Sequence, residues 1–103
     1  SEYMGAGDNE LGAKLIGSLL RKLWAAETKP GAILFYNSGV KLLAEGSSVL
    51  DALNGLSEAG VDLIACGTCC TFFDITEKVQ VGRIGDMQEI SGILMSADSV
   101  VTI

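Results

Sequence analysis

No histidine occurs among the 103 residues of this chain. Its absence removes the usual proton shuttle near neutral pH, every Ser-His or Cys-His catalytic pair, and the commonest metal ligand. Any chemistry falls to carboxylates, lysines, hydroxyls or thiols. Basic side chains are also scarce: seven Lys and Arg against thirteen Asp and Glu leave a formal net charge of −6. Such a surface lacks the cationic footprint that phosphate backbones or anionic lipids require, so neither nucleic acid nor a membrane surface is an expected partner. No apolar run approaches the roughly 18 residues of a bilayer span, and no basic segment followed by an apolar stretch marks a signal peptide. Proline occurs once, so the 13 glycines mark tight turns between regular elements and not a Pro/Gly-rich linker. Three cysteines are too few and too close in sequence for a disulfide-stapled secreted scaffold, which points to a reducing, cytoplasmic compartment.

What is present suits one domain spanning residues 1–103. A mean hydropathy of +0.41 without a membrane span points to a subunit interface, hence a homo-oligomer. The chain opens on Ser1 and not Met, as a processed chain or a fragment would. From Glu10 to about Glu27, Leu11, Leu15, Ile16, Leu19, Leu20, Leu23 and Trp24 recur at helical spacing behind the cap residues Asp8 and Asn9. Gly31–Asn37 (GAILFYN) is a short apolar run of the kind buried on both faces of a parallel sheet, and Asn37-Ser38-Gly39 breaks it before a helical turn at Val40–Ala44. Ser48 with Asp51 fits a capping box for a helix that Gly60 terminates, and Val61–Cys66 is the next strand. Gly67–Thr76 is expected as a loop running into a short helix, followed by a diluted strand at Val79–Ile84. Asp86 with Glu89 fits a second capping box, with Ile90, Ile93, Leu94 and Ala97 as the inner face of its helix, and Ser99–Ile103 closes the chain as a strand. Strands alternating with helices define an α/β fold with a mostly parallel sheet covered on both faces. The chain nevertheless enters its first helix from a turn at Tyr3–Gly7, where such a fold would already have placed a strand.

Reactive chemistry is concentrated in Cys66-Gly67-Thr68-Cys69-Cys70, at the carboxyl end of a strand and the start of a helix, where open α/β sheets place their ligand crevices. A thiol there can be acidified by the unpaired N–H groups of the helix start, and the thiolate is the nucleophilic form. The alternative is that Cys66 is a small apolar residue finishing a strand and that the others pack, which is the better reading for Cys70 taken alone. Lys41 follows the preceding strand, so it belongs to the same sheet edge and could stabilise a thiolate or persulfide; a solvated helix lysine is the bland alternative. Gly5-Ala6-Gly7 lacks either phosphate-loop pattern and is read as a tight turn. Phe72 and Phe73 suit a core or an interface, or could exclude water beside sulfur, and Arg83 is too isolated to assign.

The blocks Met4-Gly-Ala-Gly-Asp-Asn-Glu-Leu-Gly12, Phe35-Tyr-Asn-Ser-Gly-Val-Lys-Leu42, Cys66-Gly-Thr-Cys69 and Ala97-Asp-Ser-Val-Val-Thr-Ile103, in this order, resemble the carboxyl-terminal DsrE-like domain of the YedF group of sulfurtransferase-like proteins. The resemblance implies a three-layer α/β/α DsrE-like domain whose parallel sheet has five strands, of which four are visible here. The absent first strand would lie between the strand at 31–37 and the final one. It further implies a sulfur carrier that accepts and passes on sulfur, or selenium, as a cysteine persulfide, with Cys66 at the position of the family's reactive cysteine. Trimers or hexamers are implied as well, and exchange with a sulfur donor or acceptor such as a TusA-like domain. The Cys-Pro-x-Pro motif of that domain is absent from this chain.

The leading expectation is therefore Cys66 as persulfide-bearing nucleophile and Cys69 as second acceptor or resolving thiol, with Lys41, Asn37, Gly67 and Thr68 as substrate-binding residues and no cofactor or resident metal. Three readings stand beside it. They are a CxxC dithiol redox protein cycling a Cys66–Cys69 disulfide, a structural metal site completed by a carboxylate or a neighbouring subunit, and a noncatalytic subunit of a sulfur-relay assembly.

Overall fold

A computed structural model describes all residues, Ser1–Ile103. Helix α1 (Asn9–Ala25) starts where Asp8 Oδ1 accepts the Leu11 N–H at 2.8 Å, satisfying one of the donors that a helix start leaves free. Ile16 and Leu20 turn inward beside Gly12 and Gly17, whereas Leu11, Leu15 and Trp24 remain about half exposed. The indole of Trp24 occupies the space that a Cβ on Gly55 would fill, so α1 and helix α2 (Leu50–Glu58) meet at a seam only a glycine permits. The Ser48/Asp51 capping box does not form: Ser47 Oγ takes the Val49 N–H at 3.3 Å, and α2 begins one residue beyond, at Leu50.

Four strands follow from the apolar runs: β1 (Ala32–Phe35), β2 (Asp62–Cys66), β3 (Arg83–Gly85) and β4 (Val100–Thr102), all parallel in the order β3-β2-β1-β4. All of β1 is buried, as its unbroken apolar run predicts for a strand covered on both faces. The strand expected between β1 and the last strand is not there. β4 pairs directly with β1, Ala32 opposite Val100 and Leu34 opposite Thr102, so the sheet has no central gap and the backbone donors of β1 are satisfied on both sides. The step β1→β2 through α2 and the return step from β3 to β4 through helix α4 (Met87–Ser96) run in opposite directions. Right-handed crossovers therefore put the two helices on opposite faces, which makes three α/β/α layers.

The third strand lies later than its diluted sequence suggested, because Val79 and Gln80 are taken up beside the 3₁₀ segment Asn37–Leu43, where Gln80 N–H donates to Leu43 O at 2.8 Å. Arg83, unassigned from sequence, fastens β3. Its guanidinium forks onto Asp62 at 3.0 and 2.9 Å and reaches both oxygens of Glu89 at 2.8 Å. Its pKa is raised by those two carboxylates, Asp62 foremost. Glu89 is thereby drawn away from a reciprocal capping box, and Asp86 alone caps α4 by accepting the Glu89 N–H at 2.8 Å. Ile90 is the buried residue of α4, while Leu94 and Ala97, expected on its inner face, are exposed. No helix is long and apolar enough to cross a membrane.

Candidate functional site

Strand β2 feeds directly into helix α3 (Gly67–Phe72), without the loop expected there. Cys66 ends the strand and, still extended at φ −62° and ψ 121°, serves as the N-cap of α3; Cys69 is then its third residue. N-cap and third-residue side chains approach one another at a helix start, and here the Cys66 thiol is near enough to raise the pKa of Cys69. They differ in access. Cys66 is 2% exposed and Cys70 fully buried, both part of the core, whereas Cys69 is half-buried and faces a groove.

The neighbouring strand supplies the partner. Phe35 lies opposite Ala65, so the chain leaving β1 passes beside the chain leaving β2. Tyr36 stays extended, Asn37 turns left-handed at φ 53°, and the Asn37 N–H donates to Cys69 Sγ at 3.0 Å. Asparagine tolerates that conformation better than most residues. Asn37, expected to act on substrate, therefore meets the sulfur through its backbone.

The groove encloses about 640 Å³. Phe72, Phe73, Met87, Ile90, Leu94 and Tyr36 make its apolar wall, with Asn37 and Thr68 as its polar members. The two phenyl rings meet edge to face at 5.1 Å, and Phe72 is 81% exposed. Gly67 sits under Ile84, whose Cγ2 a Cβ there would approach at 3.3 Å. Lys41 is engaged elsewhere: its ammonium lies 4.4 Å from the Phe73 ring centroid and 3.8 Å from Glu2 Oε1. No lysine or arginine lines the groove, so charge on sulfur is met by backbone N–H groups, that of Asn37 foremost. The three cysteines are free thiols, and no group of three potential ligands converges to hold a metal ion.

The sequence missed Met87 and Leu94, which reach the groove from a helix far along the chain. The signal was an apolar stripe on α4 wider than one buried face needs.

Cys69 is not the acidified thiol that a helix start allows. Burial raises the Cys69 pKa, the adjacent Cys66 thiol raises it further, and the Asn37 N–H offsets only part of this. Cys70 is raised by burial and by both neighbouring thiols. In the folded protein iodoacetamide is therefore expected to modify Cys69 ahead of Cys66 and Cys70. Its rate should keep climbing with pH beyond about 8.5, the ordinary thiol value. A rate that levels off below that pH, read by peptide mass mapping, would contradict this assignment.

The DsrE/DsrF-like family pattern matches residues 8–103. Among solved structures, the chain is similar to the ychN protein from E. coli, with a TM-score of 0.71 and 22% identity over 96% of this chain and 92% of that one, a likeness of fold. No curated protein matches the sequence.

Proposed function

The chain belongs to the DsrE/DsrF-like family, and from that premise we propose that it is a sulfur carrier that holds sulfur as a persulfide on Cys69. One observation carries the choice of residue: of the three thiols, Cys69 alone lines the groove, whereas Cys66 is 2% exposed. The role assigned to Cys66 from sequence thus passes to Cys69, and Cys66 stands behind it. Loading is an exchange between sulfurs. Cys69 gives its proton to solvent, since no histidine is available as base, and the thiolate attacks the terminal sulfur of a donor persulfide. A new S–S bond forms on Cys69, the donor's S–S bond breaks, and its electron pair leaves on the donor thiolate. The apolar wall excludes water that would otherwise solvate the nucleophile.

Within the family, the reading extends to the YedF-type carboxyl-terminal domains. Selenium is then an alternative cargo, and a TusA-like domain is the class of partner that would donate or receive it. A cytoplasmic setting would keep the three thiols reduced. Exposed Leu11, Leu15 and Trp24 on α1, with Met87, Leu94 and Met95 on α4, supply apolar surface for a homo-oligomer. The net charge of −6 supports neither nucleic acid nor a membrane surface as partner. A dithiol redox cycle is the second reading, favoured by the placement of Cys66 and Cys69 at the N-cap and third position of one helix; it would leave no added sulfur.

The test is anaerobic incubation of the Cys66→Ser protein with glutathione persulfide, then alkylation and peptide mapping. One added sulfur is expected on Cys69 and none in the Cys69→Ser protein. A Cys69 that gains nothing would sink the carrier reading.

A further inference from the structure

Cys66 has no use in loading. It is buried and absent from the groove wall, so neither donor nor acceptor can reach it from that side, yet as N-cap of α3 it stands beside Cys69, the third residue of that helix. We propose that Cys66 empties the carrier by displacing the sulfur on Cys69 as hydrosulfide and leaving a Cys66–Cys69 disulfide, an inference that rests on the carrier reading above. The domain then converts carried sulfane sulfur into free sulfide, and its product is a small anion instead of a persulfide on another protein.

The step balances without a further reactant. Cys66 loses its proton and attacks Cys69 Sγ, forming the bond between the two Sγ atoms. The bond from Cys69 Sγ to the terminal sulfur breaks, and its electron pair departs with that sulfur, which takes up the proton. Two thiol sulfurs are oxidised to the disulfide and the sulfane sulfur is reduced to sulfide. Displacement at sulfur proceeds through a mixed-disulfide geometry with attacking and leaving atoms on opposite sides. Cys66 on the core side and the groove in front of Cys69 provide those two sides.

Two further features favour discharge over storage. The groove wall holds no cation, and Lys41 is held by Phe73 and Glu2, so a terminal persulfide anion would sit against phenyl and methionine side chains with no counter-charge. Cys70 is no rival for the attack, because adjacent residues on a helix do not face each other whereas the N-cap and third residue do. Resetting the site then requires a dithiol reductant, acting on a disulfide that Cys69 presents to the groove.

The experiment follows one equivalent of glutathione persulfide added anaerobically to the reduced wild-type protein, the Cys66→Ser and Cys66→Ala variants, and Cys70→Ala. Serine is a favourable N-cap, so Cys66→Ser should fold, and the alanine variant guards against any effect of its hydroxyl. Wild type and Cys70→Ala are expected to release one hydrosulfide per chain and to yield a Cys66–Cys69 disulfide by peptide mapping. Both Cys66 variants should retain the persulfide on Cys69, with release slower by on the order of tenfold or more. Persulfide that persists equally in wild type and the Cys66 variants would overturn discharge and leave the carrier reading standing. If the Cys66 variants gain no sulfur on Cys69, the carrier reading itself fails and discharge with it.

Discussion

Replacing Phe35 by alanine is expected to destabilise the domain by about 3–5 kcal/mol, the range for deleting a fully buried phenyl ring from a core that relaxes only partly. Phe35 is fully buried on a strand whose four residues are all covered, with β2 and β4 paired on either side, so no single layer can close the vacancy by shifting inward. Domains of this size are held by only about 5–15 kcal/mol, so the variant loses roughly a fifth or more of what keeps it folded. Urea titration followed by far-ultraviolet circular dichroism should show a lower midpoint at unchanged slope. A loss under about 1 kcal/mol would mean that the core does not centre on β1. The substitution also acts on the site, because Phe35 ends the strand that delivers the Asn37 N–H to Cys69 two residues later.

The second large effect is expected at Gly82, which enters β3 at φ +79°. A Cβ there would stand 2.6 Å from the carbonyl oxygen of Leu63 and 2.9 Å from its Cβ. Leu63 belongs to β2 and is nearly inaccessible, so the collision is with central backbone and not with a mobile side-chain end. Gly82→Ala combines a left-handed backbone unfavourable to alanine with displacement of the edge strand, for an expected loss of about 2–4 kcal/mol. Because Arg83 is the next residue, the shift also pulls its guanidinium off Asp62 and Glu89. The distinguishing measurement is hydrogen exchange. Amides of residues 83–85 should lose protection more than those of β1; equal loss throughout, or none, would contradict a local collision.

Much of the scaffold can be read from the chain because local and long-range demands agree there. The unbroken run Ala32–Phe35 admits only a strand buried on both faces, and Asp8 and Asp86 each cap the helix that follows them. Where two partners compete, sequence reading loses the winner. Ser48 with Asp51 has the spacing of a capping box, yet Ser47 takes the free N–H; Glu89 has the same spacing and is claimed by Arg83. The pairing of β4 with β1 is equally hidden, since no pattern within Val100–Thr102 states which strand it will border.

The site divides in the same way. The spacing of Cys66 and Cys69 already implies that they are neighbours, because it is a helix-start geometry. Their unequal exposure is not implied, since it depends on a groove wall that includes Met87, Ile90 and Leu94, brought from another part of the chain. The direction of the Cys69 pKa was likewise invisible: the helix start suggests acidification, and burial outweighs it. Lys41 shows the limit of placing a residue on an edge, for its ammonium is drawn to an aromatic face and a carboxylate near the amino terminus.

The seam between α1 and α2 has an optical consequence. Trp24 is the only tryptophan, lies against Gly55 at that seam, is 42% exposed, and is absent from the thiol groove. Its emission therefore gauges whether α1 stays docked on α2, on the opposite layer from α4 and its groove residues. Sulfur arriving on or leaving Cys69 should pass without a change in that light, and a red shift during either event would report the first helix lifting from the second.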